Sequence, residues 1–430
     1  MALKKVLEAA SSQKSSIDYW LKKIESVGFS ERLSIDEFKA VFQKLNISKN
    51  FFVITITGTN GKGSTCHLLN NILLQSGFNV GLFTSPHIFK FNERIKINNT
   101  LISDFNCVKY FKEIEAIEKD FPIKFGYFTH AFLMACLAFR DQRLDFAIFE
   151  VGCGGRLDPT NTFDADMVAI TSIGLDHQAL LGDTRELIAL EKSGLARKNH
   201  PMIIGESDFP NKAIEYMNQV KAQIINVSQN EHKHLNQIKP SFLHQNNLSV
   251  VIETLNQLKK RNYIIKNKVI ENCVKNFKLN GRCQLFKFVK NDIERTVIFD
   301  VGHNEQSFQY LGEFLNQKFG KNQNYLILYS ALMGKNTNDI FAQCTKLNMT
   351  WYLTSLEAVD YRAKSLEEIS QSCQKFNNKL LIEANPEIAF DKMLNSNTDD
   401  ILVVCGSFIL VSKILSYAKD QGYIDDSMLF

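Results

Sequence analysis

The chain has no C-x-x-C pair; its nine cysteines are dispersed along 430 residues. That absence argues against a zinc site or a disulfide scaffold and suits reduced thiols in a cytoplasmic protein. There is little net charge, only +4, too small to argue for nucleic acid or a membrane surface as a partner. No apolar run is long enough to span a bilayer, and the longest, near 401–411, is broken by Gly406 and Ser407. Met1-Ala2-Leu3-Lys4-Lys5 leads into polar residues rather than an apolar signal core. No internal repeat or low-complexity tract stands out. With 45% hydrophobic and 22% charged residues, the composition is that of a globular chain. Its length exceeds what one core usually serves, so two domains are expected.

One motif is also incomplete. The general phosphate loop reads G-x-x-x-x-G-K-[ST], and here the run is Gly58-Thr59-Asn60-Gly61-Lys62-Gly63-Ser64-Thr65, which fails at the first glycine. The flanks are nonetheless those of a phosphate cradle. A β-branched run over 51–57 predicts a strand, and apolar spacing from His67 to Gln75 predicts a helix stopped by Gly77. Backbone N–H groups and a helix N-terminus then aim at one spot, and Lys62 adds a full positive charge. The plain alternative is a glycine-rich strand-to-helix turn.

Along the chain, 17–45 reads as helical. Strands are expected at 80–83, 146–149, 167–171, 202–205 and 223–227, with helices at 128–139 and 183–196. Asp183 with Glu186 resembles a capping box at the start of the last of these. A further helix is expected from about 247 to 259. A second series of strands, at 297–299, 325–329, 351–354, 380–383 and 401–405, places the domain boundary near 280–295. Alternating strands and helices predict an α/β protein with mostly parallel sheets covered on both faces. Ligands of such sheets sit beyond the carboxyl ends of the strands. Gly58, Ser85, Glu150 and His177 each follow the end of a different strand, so all four can meet along one edge.

Glu150, His177 and Ser85 could hold Mg²⁺ bridging ATP phosphates, although a histidine is unusual among its oxygen ligands. Against this stand a salt-bridged strand-end glutamate and an ordinary loop histidine. Lys192, inside a helix, reads by itself as a solvated lysine. Asp300 and His303 repeat the strand-end logic in the second domain, and Arg282 just before it could clamp a phosphate or make a surface contact.

These segments, in this order, resemble the folylpolyglutamate synthase/dihydrofolate synthase family of the Mur ligase superfamily. The resemblance is carried by Thr57-Gly58-Thr59-Asn60-Gly61-Lys62-Gly63-Ser64, Thr84-Ser85-Pro86-His87 with Glu93-Arg94-Ile95, and Phe149-Glu150-Val151-Gly152-Cys153-Gly154-Gly155-Arg156-Leu157-Asp158. Gly174-Leu175-Asp176-His177, Leu181-Gly182, Glu191-Lys192 and Asp300-Val301-Gly302-His303-Asn304 continue it over nearly the whole chain. It implies a P-loop parallel-sheet ATPase domain over 1–285, binding ATP and folate. A smaller Rossmann-like α/β domain over 295–430 would bind glutamate and close on ATP. The implied reaction is ATP-dependent addition of L-glutamate to dihydropteroate or a reduced folate through an acyl phosphate. Lys62, with Gly58, Thr59, Asn60, Gly61, Gly63, Ser64 and Thr65, matches the family's phosphate contacts. Ser85, Glu150 and His177 match its Mg²⁺ ligands. Lys192 matches its carbamylated lysine, which holds a second Mg²⁺. Asn247, Arg282, Asp300 and His303 match its nucleotide contacts. A cytoplasmic monomer acting on small molecules, with no nucleic acid and no membrane, is expected.

There are departures. Pro159 stands where the family has a small residue, Thr129-His130-Ala131 replace a Phe-Glu pair, and Ser330-Ala331-Leu332-Met333-Gly334-Lys335 departs from an Asp-Lys ending. The first two bear on substrate preference rather than on the reaction. Two other readings stand beside this one: a sibling ligase adding an amino acid to a UDP-sugar peptide, and a non-catalytic nucleotide-binding protein. The Ser85-Pro86-His87 and Glu93-Arg94-Ile95 segments, typical of the folate branch, weigh against the first. The intact Lys62, Glu150, His177 and Lys192 weigh against the second.

Overall fold

Two runs of alternating strands and helices build two separate sheets. The computed structural model describes residues 16–28, 33–227, 242–290, 293–376, 379–396 and 399–429. Described residues up to 227, with Gln245–Lys275, form the first unit; 242–244 and those from Asn276 onward form the second. The chain therefore leaves the first unit at 275, ahead of the boundary expected at 280–295.

The first unit runs α1 (Ile17–Glu25), α2 (Ile35–Lys44), β1 (Phe52–Thr57), α3 (Lys62–Gln75), β2 (Val80–Phe83), β3 (Ile95–Ile97), β4 (Thr100–Leu101), α4 (Asp104–Glu118) and α5 (Tyr127–Arg140). It continues with β5 (Phe146–Glu150), β6 (Met167–Ile170), α6 (Gln178–Leu181), α7 (Arg185–Ser193), β7 (Pro201–Ile204), α8 (Asn211–Gln219), β8 (Gln223–Asn226), α9 (Gln245–Lys259) and α10 (Asn267–Lys275). The strands lie in the order β4-β3-β2-β5-β1-β6-β7-β8. They are parallel from β2 to β8, while β3 and β4 turn back antiparallel at the edge. Central strands are buried along their length, as strands covered on both faces must be. Phe149 of β5 packs against Phe132 and Phe139 of α5 at ring separations of 5.7 and 5.5 Å, and with Phe163 this aromatic layer fills one side of the sheet. Helices α3, α9 and α10 pack together as another layer.

Several parts of this unit differ from expectation. The single helical stretch 17–45 is two helices: Ser16 caps α1, and Ser34 with Glu37 forms a capping box on α2, while 29–32 lie outside the described residues. Helix α3 starts at Lys62, a turn and a half before His67. Its first turn, Lys-Gly-Ser-Thr, carries no apolar periodicity, and the start is set by Gly61 in the left-handed region. Helix α7 is capped by Thr184, whose hydroxyl accepts from Leu187 N at 3.3 Å, and not by Asp183. Helices α4, α6, α8 and α10 and the edge strands β3 and β4 have no counterparts among the expected elements.

The second unit contains β9 (Gln284–Lys290), β10 (Ile293–Asp300), α11 (Glu305–Phe319), β11 (Asn324–Tyr329), α12 (Thr337–Gln343), β12 (Asn348–Leu353), α13 (Leu366–Gln374), β13 (Lys379–Ile382), α14 (Pro386–Leu394), β14 (Ile401–Cys405) and α15 (Phe408–Asp420). Their order is β13-β12-β11-β14-β10-β9, parallel except for β9, which pairs antiparallel with β10. Strand β9 was not expected, although its Phe286 and Phe288 face the core and alternate with exposed Leu285, Lys287 and Val289. Trp351, Tyr329, Phe341 and Phe308 pack edge to face or stacked in the core of this unit. No helix among the described residues is long and apolar enough to cross a membrane.

Candidate active site

The loop after β1 is clamped to the segment that follows β6. Gly58 has φ +144°, and a Cβ there would lie 1.9 Å from Thr171 Oγ1. Thr59 N donates to Ser172 O at 2.7 Å, Asn60 N donates to Ser172 Oγ at 3.0 Å, and Thr171 Oγ1 donates to Asn60 O at 2.6 Å. Gly61, at φ +82°, is the N-cap of α3, and a Cβ there would meet the Asn247 amide at 2.2 Å. The side chain of α9 that sequence matching assigned to nucleotide thus stands against the loop. No side chain caps α3, so its first N–H groups face outward for an anion. Ser64 and Thr65 are buried; the Thr65 hydroxyl makes no hydrogen bond.

Two lysines converge on one carbonyl of this loop. Lys62 Nζ donates to Gly58 O at 2.9 Å and Thr59 O at 3.1 Å, and Lys192 Nζ donates to Gly58 O at 3.0 Å. Lys192 is 3% exposed, so the reading of it as a solvated helix lysine is corrected. Burial, then the neighbouring Lys62 cation, brings its pKa from 10.5 down to about 7. The helix reaches this depth because Arg156 holds it. Arg156 N donates to Glu191 O at 2.8 Å, and its guanidinium donates twice to Glu191 Oε1, at 3.0 and 2.7 Å. Gly155 permits the approach, since a Cβ there would come within 3.0 Å of the Glu191 and Lys192 carbonyls.

Strand order puts the ends of β2, β5, β1 and β6 side by side. Glu150, the last residue of β5, is 4% exposed and accepts a hydrogen bond from Ser85 N at 3.0 Å through Oε2. A Cβ on Gly63 would sit 3.4 Å from the same oxygen, so the glycine gives the carboxylate room beside the start of α3. His177 is exposed, with φ +53°, and caps α6 seven residues beyond β6. Among the described residues no three His, Cys, Asp or Glu side chains converge as a closed metal cage. Adjacent oxygen donors at Ser85 and Glu150 fit Mg²⁺, which keeps waters and shares substrate phosphates rather than filling an all-protein cage.

Asp158 ends the Gly154-Gly155-Arg156-Leu157-Asp158 run. It is buried, and its Oδ2 accepts from Gly152 N and Cys153 N, both at 3.1 Å, while Oδ1 accepts from Thr160 N at 3.0 Å and Thr160 Oγ1 at 2.7 Å. It pins the loop that carries Glu150 and touches α7. Asp158→Ala leaves buried donors without partners and is expected to lower unfolding stability by about 2–4 kcal/mol. A urea midpoint unchanged from wild type, at equal slope, would refute this.

In the second unit Arg282, Asp300 and His303 gather around the carboxyl end of β10. Arg282 Cζ lies 5.4 Å from the Phe408 ring centroid. Asp300 accepts from Cys283 N at 2.9 Å and Gly302 N at 2.8 Å, and His303 Nδ1 lies 2.9 Å from Val301 O. Both Asp300 oxygens therefore shape their own loop, and the imidazole is oriented by the backbone. The residues missed from sequence are those acting on backbone: Thr171, Ser172, Asp158 and Glu93. Their visible signal was position alone, as hydroxyls or carboxylates one to ten residues past a strand end.

Residues 56–276 match the model of the Mur ligase middle domain, and 283–417 that of the dihydrofolate synthetase C-terminal domain. The chain is 34% identical to a dihydrofolate synthase/folylpolyglutamate synthase of Buchnera aphidicola subsp. Baizongia pistaciae, over 89% of this chain and 90% of the relative. Escherichia coli FolC in complex with DHPP and ADP superposes with a TM-score of 0.84 at 28% identity, over 95% of this chain and 98% of that one. The bifunctional folylpolyglutamate synthase/dihydrofolate synthase of Yersinia pestis, complexed with AMPPNP and Mn ion, superposes with a TM-score of 0.83 at 29% identity, over 94% and 98%.

Proposed function

The chain belongs to the dihydrofolate synthase/folylpolyglutamate synthase family of Mur ligases, and on that premise we propose how its residues divide the work of an ATP-dependent glutamate ligase. The reaction is addition of L-glutamate to dihydropteroate or a reduced folate. The match of 283–417 to a dihydrofolate synthetase domain sets the UDP-sugar alternative aside. The observation that carries the proposal is the meeting of Lys62 and Lys192 at Gly58 O, beside an uncapped helix N-terminus.

Lys62 and the N–H groups opening α3 bind the β- and γ-phosphate oxygens of ATP, with Gly58 to Thr65 shaping the loop. The substrate carboxylate attacks the γ-phosphorus, ADP leaves, and an acyl phosphate forms. The amine of L-glutamate attacks the acyl carbon, and phosphate departs to leave the amide. Phosphoryl transfer of this kind needs position and charge neutralisation rather than covalent help. Ser85, Glu150 and His177 would hold Mg²⁺, which would supply part of that neutralisation. Lys192, as a neutral amine near pH 7, is chemically suited to attack CO₂ and give up a proton to solvent; the resulting carbamate would offer a carboxylate to a second Mg²⁺. Asn247, Arg282, Asp300 and His303 contribute nucleotide contacts, the second unit binds glutamate, and the enzyme works as a monomer.

Purified protein assayed with dihydropteroate and with tetrahydrofolate side by side is expected to release ADP in a glutamate- and Mg²⁺-dependent manner with at least one. Absence of turnover with both would sink the proposal.

A further inference from the structure

Arg94 is a buried cation with no carboxylate in ion-pair contact among the described residues, although Glu150 and Glu93 favour its charge at longer range. It is 8% exposed, and among the described residues it forms no ion pair. Its Nε donates to His87 Nδ1 at 2.9 Å, and one further hydrogen bond goes to the Tyr127 side chain, whose ring centroid lies 5.1 Å from Cζ. The remaining N–H groups of the fork have no partner among the described residues. The adjacent Glu93 does not serve, because its oxygens accept from Ile88 N, Phe89 N and Lys90 N at 2.8, 2.7 and 2.7 Å. Burial disfavours the charge of this guanidinium more than Tyr127, Glu150 and Glu93 restore it, so an anion at its open edge would be stabilising.

The sheet fixes where that anion would lie. Ile95 pairs with Phe83, and Phe83 pairs with Phe149, so Arg94 stands level with Glu150 at the carboxyl edge. Thr84 N donates to Arg94 O at 2.9 Å, which holds this level. Tyr127 opens α5, and the next residue, Phe128, lies against Gly152, where a Cβ would come within 2.6 Å of its ring. The fork thus sits between the residues that begin α5 and those that end β5.

We propose that the Arg94 guanidinium binds the carboxylate of the acceptor substrate, the group that ATP activates, and that His87 is a positioning residue that holds the fork by its Nε. A planar fork matches a carboxylate through paired hydrogen bonds, and a lysine there could not. Fixing Nε on His87 leaves the outer edge of the fork as the presenting edge. The inference rests on the ligase reading above. An oxyanion could also come from the γ-phosphate of ATP, and the test separates the two.

Isothermal titration of the full chain with dihydropteroate, with its carboxamide and with a non-hydrolysable ATP analogue provides that test. Wild type should prefer the acid to the amide. Arg94→Gln should weaken the acid by about 10- to 100-fold and leave the amide and the nucleotide analogue unchanged. Arg94→Lys keeps the charge, and carries the test if the glutamine variant does not fold: the acid should weaken several-fold and the amide not at all. His87→Ala should show a smaller loss of acid affinity, partly recovered in His87→Asn, which restores an acceptor. Equal losses for acid and amide would overturn the proposal, as would undiminished acid affinity or a loss confined to the nucleotide. Turnover of a pterin acid by wild type tests the ligase reading by itself, so a failure of one is distinguishable from a failure of the other.

Discussion

Lys192→Ala is expected to lower kcat/KM by roughly a thousandfold, the scale of removing a charge-organising group from a phosphoryl-transfer site. Added small carboxylates such as acetate or formate should restore part of the rate, because on the proposed role the lost group is a carbamate that acts as a carboxylate. Wild-type rates in the variant would refute the role. The pH dependence has a definite sign. Burial and Lys62 bring the pKa to about 7, so the reactive neutral amine rises as pH increases through 7, and at limiting bicarbonate carbamate occupancy rises with it. The unmodified lysine also depresses stability. The unfolded chain binds its proton up to about 10.5 and the folded chain only up to about 7, so this cost is full below pH 7 and fades as pH rises between those values. Lys192→Met should remove that pH slope from the unfolding free energy measured in bicarbonate-free buffer.

The burial that gives Lys192 its pKa is what the sequence could not display. A lysine in a helix is normally solvated, and its depth depends on Gly155 lacking a Cβ and on Arg156 gripping Glu191. Those are contacts between residues about 35 positions apart, and periodicity carries no information about them. The edge itself was legible, since Gly58, Ser85 and Glu150 follow strands whose apolar runs are plain, and parallel sheets place such residues together. His177 was legible as a strand-end residue too, but six residues of loop separate it from β6, and its exposure follows from that loop. In the second unit Asp300 stood out as a strand-end carboxylate. Its commitment to Cys283 N and Gly302 N depends on β9, the antiparallel edge strand that a search for alternating βα units passes over. Helix ends were the least legible, because Thr184 rather than Asp183, and Gly61 rather than any side chain, set them.

Lys62→Met is expected to reduce kcat by about 100- to 1,000-fold at pH 7, and the loss should have two separable parts. The first is direct. An ammonium held 2.9 Å from Gly58 O and 3.1 Å from Thr59 O is already at the mouth of the loop, and methionine offers the phosphates no charge. The second passes through Lys192. After burial, Lys62 is the next cause of the lowered Lys192 pKa, so removing its charge raises that pKa and diminishes the neutral amine at pH 7. Carbamate at a given bicarbonate concentration should then fall. Higher bicarbonate and higher pH act on the second part only. The variant should therefore regain a portion of its activity when assayed at pH 8.5 or so with saturating bicarbonate, to a plateau still well below wild type. Loss that is identical at every pH and bicarbonate concentration would show that the two lysines act independently. Complete recovery would show that Lys62 acts only through its neighbour. The predicted plateau lies between these because both lysine Nζ atoms donate to one carbonyl, close enough to couple, while only Lys62 stands at the first turn of α3, where the proposal places the phosphates.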